Sequence, residues 1–138
     1  AALRETVEEL GIEPADLTVL GAFDYIVNPI GVVLFPYVGY IADKTVIRPN
    51  ASEVAEVFAV PLNYLLQAKP VKGYMEMATR PLPDFPFNLL PDNYPHDWKK
   101  RTKYPVLFYP YKNYVIWGLT ARVLSSFLKL CHTIVGNR

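Results

Sequence analysis

Apolar and polar positions alternate in two different rhythms along the chain. Leu3, Val7 and Leu10 stand at i, i+4 and i+7, the period of one helix face. Gly11 follows the last of them, where a helix C-terminus favours glycine. Pro14-Ala15-Asp16 predicts a turn or a short helical connector. From there the pattern changes to runs of β-formers. Residues 17–27 predict a strand bent at Gly21, and Asn28-Pro29-Ile30-Gly31 a turn. Residues 32–41 are almost continuously apolar, which predicts a long strand central in its sheet. Pro36 cannot donate to a ladder, so a bulge or an edge position is expected there. A short strand is expected over residues 45–47 and a loop over 49–52.

Residues 53–60 read as another strand, after which Pro61 opens a short helix over 62–67. Residues 69–103 carry Pro70, Pro81, Pro83, Pro86 and Pro95 with no sustained period. They predict a long loop with one strand near 74–77. Residues 104–109 predict a strand, 110–113 a turn and 114–117 its hairpin partner. A final helix is expected from Gly118, with Leu119, Val123, Phe127, Leu130 and Ile134 as its core stripe. There is no internal repeat, and one domain over residues 1–138 is expected.

Composition narrows the classes. A length of 138 residues fits one domain, and 51% apolar content provides for a core and argues against disorder. A net charge of +1 gives no global electrostatic case for nucleic acid or a membrane surface. The single cysteine, Cys131, rules out an intrachain disulfide and fits a reducing compartment. The longest apolar run, 25–42, contains Asn28 and two prolines, and reads as two strands about a turn rather than a membrane span. No secretory signal is visible, and the final residues are not a peroxisomal address. The expected location is cytoplasmic, with an organelle matrix as the alternative.

The candidate chemistry lies in the first helix. Glu5, Glu8 and Glu9 stand at i, i+3 and i+4 and share one face. Converging carboxylates are what a hard cation such as Mg²⁺ needs, because it takes oxygen ligands. Three glutamates on a short helix also describe a solvated face. The order Arg4-Glu5-Thr6-Val7-Glu8-Glu9-Leu10-Gly11-Ile12 resembles the second half of the Nudix box. Glu53-Val54-Ala55-Glu56-Val57-Phe58-Ala59-Val60-Pro61-Leu62 and Ile116-Trp117-Gly118-Leu119-Thr120-Ala121-Arg122 resemble segments of the coenzyme A diphosphatase branch of that family. Residues 31–40 resemble that branch's strand after the box. The likeness covers most of 1–67 and 104–130.

This resemblance implies an α+β fold, a Nudix-type α/β/α sandwich on a mixed sheet. It also implies hydrolysis of coenzyme A or acyl-coenzyme A to 4′-phosphopantetheine and adenosine 3′,5′-bisphosphate, with Mg²⁺ or Mn²⁺. Glu8 and Glu9 are the expected metal ligands, and Glu5 a ligand or the base. Arg4 is expected to hold Glu5, or a glutamate further upstream, by a bidentate pair. Glu53 is a further base or ligand, or simply a solvated strand edge. The expected partner is a small molecule and neither nucleic acid nor membrane; a homodimer is compatible with this. The first half of the box is absent before Arg4, and the chain starts with Ala. A chain beginning inside the box is therefore expected, lacking its N-terminal strands, with an exposed apolar face and no independent activity.

Weaker candidates follow. Lys99, Lys100, Arg101 and Lys103 read as a solvated run or as contacts to the 3′-phosphate of coenzyme A. Tyr74, Phe85, Phe87, Tyr94 and Trp98 read as a cluster pinning the long loop or as rings that stack on adenine. Trp117 and Arg122 read as packing residues, and His96 and His132 are assigned no role. The rivals are a Nudix hydrolase of another nucleoside diphosphate derivative, such as ADP-ribose or NADH, and a catalytically silent nucleotide-binding Nudix module.

Overall fold

A computed structural model describes residues 1–136 of the chain. The architecture is α+β, as expected, and its residues group into two compact units. The first comprises Ala1–Ala68 with Val123–Arg138, and the second Lys69–Arg122.

The first unit opens with helix α1, Ala2–Leu10. Its apolar stripe is only partly covered: Val7 and Leu10 are half-buried, whereas Leu3 is exposed. Gly11 ends it in the left-handed conformation, φ 58°, and donates its N–H to the Val7 carbonyl at 2.9 Å. Two further terminal carbonyls take N–H groups from a distant loop, Leu10 from Arg48 and Glu9 from Asn50, both at 2.9 Å. A Cβ on Gly11 would lie 2.0 Å from the Arg48 carbonyl oxygen, so this approach is open only to glycine.

A 3₁₀ turn, Pro14–Asp16, leads into β1, Leu17–Ala22. β1 pairs antiparallel with β4, Tyr37–Ile41, with a register shift between Val19 and Gly21 at the expected bend. β2, Ile26–Val27, and β3, Val33–Leu34, form a small hairpin. Its turn is closed by Asn28, whose side-chain oxygen accepts from the Ile30 and Val32 N–H groups at 3.0 and 2.8 Å. The single central strand expected over 32–41 is therefore two short strands, broken at Phe35-Pro36, and β4 has one ladder partner among the described residues. Proline's missing N–H accounts for the break. The strands expected over 45–47 and 53–60 are absent. In the second case the Glu53 and Val54 N–H groups turn back to the Asn50 carbonyl, at 3.0 and 2.8 Å, instead of pointing to a neighbouring strand. α2, Leu62–Gln67, follows Pro61 as expected. Ile12, Ile26, Leu65 and Leu128 are buried in this unit, and the rings of Phe23 and Phe127 meet at 6.5 Å.

The second unit is a three-stranded antiparallel sheet, β5-β6-β7. β5, Val71–Thr79, contains the strand expected near 74–77 but is longer. It pairs along its length with β6, Lys99–Tyr111, which contains the strand expected over 104–109 and starts earlier. The long loop expected over 69–103 thus shrinks to the connection between them. β7, Tyr114–Trp117, closes the expected hairpin through a tight turn at Lys112 and Asn113. Phe108 and Trp117 face each other in register with rings parallel at 6.1 Å, while Trp117 stays exposed on its other side. The connection between β5 and β6 is held by Phe85, Phe87 and Tyr94, whose ring centroids lie 5.1 to 6.5 Å apart, with His96 stacked on Phe87 at 4.0 Å. Tyr74 stands exposed on β5, outside that cluster.

α3, Gly118–Gly136, begins at the expected glycine. Its buried positions are Ala121 and Leu128, while Leu119, Leu130 and Ile134 are exposed. Val123 and Phe127 of the expected stripe are half-buried, so the covered face keeps the middle of that stripe and is shifted at its ends towards Ala121, Leu124, Leu128 and Cys131. Among the described residues no helix is long and apolar enough to cross a membrane.

Gly11→Ala combines a left-handed backbone cost of roughly 1–2 kcal/mol with a backbone clash, and should lower the urea midpoint clearly. Gly21 has open space around it and no positive φ, so Gly21→Ala should shift stability by under about 1 kcal/mol. A Gly11→Ala chain as stable as its parent would show that the Arg48 carbonyl is not held against the helix end.

Candidate active site on the first helix

α1 has no side-chain N-cap, and one acidic residue, Glu5, in its first turn. Its other acids, Glu8 and Glu9, fall in the last turn, which holds no basic residue. That is the unfavourable end for negative charge, because the carbonyl dipoles point there. Arg4 supplies the compensation. Its Nη1 donates to both carboxylate oxygens of Glu8, at 3.0 and 2.7 Å, and its Nη2 donates to Glu5 Oε1. The expected bidentate grip on Glu5 is thus a bridge across Glu5 and Glu8. The hydrogen bond that Arg4 donates to Glu8 and then the charge of Glu5 push the Arg4 guanidinium above its already high ordinary pKa. All three side chains are about half exposed or more, so water screens these pairs and they hold geometry more than stability.

Arg4 and Glu8 line a cavity of about 620 Å³ together with Leu3, Val7, Leu17 and Val19. Glu5 and Glu9 are not among its lining residues. Glu9 enters the site through its backbone, since its carbonyl accepts from Asn50 N. Asn50 in turn carries Glu53 on the following turn, and its side-chain oxygen accepts from Ser52 N and Ser52 Oγ at 3.2 and 2.7 Å. The structure therefore brings Arg4, Glu5 and Glu8 into direct contact. It ties the turn bearing Glu53 to the same helix end by main-chain bonds. The tether residue Asn50 was legible only as part of a loop; Asn-x-Ser marks an Asx turn, but nothing local marks its long-range bond.

Carboxylate oxygens suit a hard divalent cation in kind. As arranged they form an acid pair clamped by arginine. Among the described residues no three metal-binding side chains stand close enough together to share an ion.

No protein-family model matches the chain. The chain is 32% identical over 126 residues to a protein of Pectobacterium atrosepticum named as an uncharacterized Nudix hydrolase, NudL, covering 91% of this chain and 54% of that protein. It is 31% identical over 132 residues to a human mitochondrial coenzyme A diphosphatase, 94% of this chain and 47% of that protein. It is 37% identical over 84 residues to a peroxisomal coenzyme A diphosphatase of Mus musculus, 61% of this chain and 35% of that protein. The chain belongs to the Nudix hydrolase family. As a family these hydrolases act on phosphoric anhydride bonds and generally use divalent metal ions. The chain spans about half the length of the curated bacterial and human relatives it matches.

Asn50→Ala removes the acceptor for both Ser52 donors. A loss of about 0.5–1.5 kcal/mol is expected in urea unfolding, the range for one or two ordinary hydrogen bonds. An unchanged midpoint would show that this turn does not hold the 50–53 segment in place.

Proposed function

We propose that a protein carrying this Nudix segment with a complete box hydrolyses the diphosphate of coenzyme A or acyl-coenzyme A. The products are 4′-phosphopantetheine and adenosine 3′,5′-bisphosphate, and the cation is Mg²⁺ or Mn²⁺. The observation that carries the reading is the likeness, over 94% of the chain, to a relative named as a coenzyme A diphosphatase. The Arg4-bridged acid pair supports it, because this chemistry needs acids gathered where their mutual repulsion is offset.

In this reading Glu8 and Glu9 hold the cation, with Glu5 as a further ligand or as the base. When bound, such a cation neutralises phosphate oxygens and lowers the pKa of a coordinated water. Arg4 fixes the side chains of Glu5 and Glu8 and cancels part of their charge. Glu5 or Glu53 takes the proton as the water oxygen attacks phosphorus and the P–O–P bridge breaks. The bridging oxygen leaves on the other phosphate.

Glu8→Gln keeps the shape and removes the charge. In a protein carrying the segment with a complete box, turnover of coenzyme A with Mg²⁺ or Mn²⁺ should fall by orders of magnitude while the far-ultraviolet circular dichroism is unchanged. Phosphopantetheine release within about threefold of the parent, under about 1 kcal/mol of barrier, would remove Glu8 as a ligand. The same assay with ADP-ribose and NADH tests the substrate. A protein that cleaves ADP-ribose and ignores coenzyme A would keep the reaction and change the substrate.

A further inference from the structure

Strand β4 has an open side. The Ala42 N–H donates to the Asp16 carbonyl at 2.9 Å and the Phe23 N–H to the Pro36 carbonyl at 3.3 Å, which marks both ends of the β1–β4 ladder. Antiparallel bonding alternates residue by residue along a strand. The extra residue at the register shift, Leu20, belongs to β1, so β4 keeps that alternation from end to end. Val38 and Tyr40 therefore turn their N–H and carbonyl groups to β1, and Tyr37, Gly39 and Ile41 turn theirs away from it. Among the described residues no second strand pairs with β4 on that side. The usual guards of an open edge are missing as well. Residues 25–42 contain no charged side chain, and Pro36 stands before β4 rather than in it.

An apolar groove of about 770 Å³ adjoins this edge, lined by Leu3 of α1, Val19 of β1, Val33 of β3, Phe35 and Tyr37. All five side chains are exposed. Tyr25 extends the patch, its ring 6.2 Å from that of Phe35. Tyr25, Phe35 and Tyr37 are between 57% and 68% exposed, so at about 200 Å² per aromatic side chain they present roughly 400 Å² between them. Leu3, Val19 and Val33 bring the patch to roughly 600 Å². That is the upper end of what a monomer leaves open, and most of the 800 Å² or so that each partner gives to a standard interface. An occupant must also meet the edge. A lipid surface would cover the rings and leave the N–H and carbonyl groups of Tyr37, Gly39 and Ile41 unmet. A second β4 meets both demands. Laid antiparallel about Gly39, it sets Gly39 opposite Gly39 and Tyr37 opposite Ile41, and each such pair exchanges two backbone bonds. The arrangement has a two-fold axis, so it consumes the edge on both copies and closes.

We propose that two copies of this chain form a closed dimer in which β4 pairs antiparallel with itself and the neighbouring groove takes the other copy's apolar side chains. Sedimentation velocity of the full chain from low to high micromolar should show a monomer–dimer equilibrium with a micromolar dissociation constant and no larger species. Hydrogen exchange read residue by residue needs no variant. The Tyr37, Gly39 and Ile41 amides should slow about tenfold or more as concentration rises through that constant, while those of Val38 and Tyr40, already turned to β1, change less. Tyr37→Lys places a charge on the edge and should weaken the dimer about tenfold or more with circular dichroism unchanged. Leu89→Lys, at an exposed leucine of the second unit, should leave the dimer as it is. A chain that stays monomeric at about 100 µM, open-ended association, or a Tyr37→Lys dimer as tight as the parent's would overturn the proposal. Equal weakening by Leu89→Lys would reduce the association to general stickiness and overturn it too. Edge amides protected to the same degree at every concentration would give the edge to a segment of the same chain and overturn the second copy as its occupant.

Discussion

The organisation of the first unit depends on one close approach, the Arg48 backbone against Gly11. A helix end leaves carbonyl groups without intrahelical partners, and each needs a donor. Here the Arg48 and Asn50 N–H groups serve the Leu10 and Glu9 carbonyls from about forty positions along the chain. The geometry is possible only because Gly11 has no Cβ and sits at φ 58°. That joint fixes where the turn bearing Glu53 begins. One glycine thus connects a helix-capping requirement, which is local, to the placement of acids that are far apart in sequence.

The same helix carries a tension that stability alone does not explain. Glu8 and Glu9 occupy its last turn, against the dipole, and no lysine or arginine is there to offset them. Like charges at i, i+3 and i+4 add to the cost. Arg4 answers part of it by bridging Glu5 and Glu8, and the incoming N–H groups of Arg48 and Asn50 answer part at the carbonyl end. Rules of local consistency are broken where a sequence serves something beyond folding. Carboxylates kept together at a disfavoured helix end, beside a cavity, fit that description.

Elements whose signals are local were legible: α1 with its terminal glycine, the Asn28 turn, α2 behind Pro61, the hairpin closing at Asn113, and the start of α3 at Gly118. Elements that depend on a partner were not. Residues 53–60 have the composition of a strand, but Asn50 turns the backbone inward before a ladder can start. The opposite error hides the start of β6, of which only 104–109 read as a strand. Its first residues, Lys99 to Lys103, are charged or polar without alternation, and Pro105 and Pro110 argue against a central strand. The register resolves this. Pro105 lies opposite Tyr74 where only β5 is paired with it, and Pro110 lies opposite Val115 where only β7 is. Each proline falls on a stretch of β6 that is locally an edge, and the strand is central only around Phe108.

The candidate site was legible to the same degree and for the same reason. Spacing placed Glu5, Glu8 and Glu9 on one helical face, and the side chain that joins the first two, Arg4, is next to Glu5 and one turn from Glu8. Spacing could not say that Glu8 faces the cavity while Glu9 contributes a carbonyl to the tether, because that depends on residues 17–19 and 48–50. Helical periodicity predicts which side chains share a face; what that face meets is a tertiary property. An acid cluster read from spacing alone is therefore a set of candidates, and the arginine bridge divides it. Glu5 and Glu8 are coupled through one guanidinium, so displacing either carboxylate changes the other's surroundings. Glu9 stands outside that coupling, tied instead to the segment that ends in Glu53.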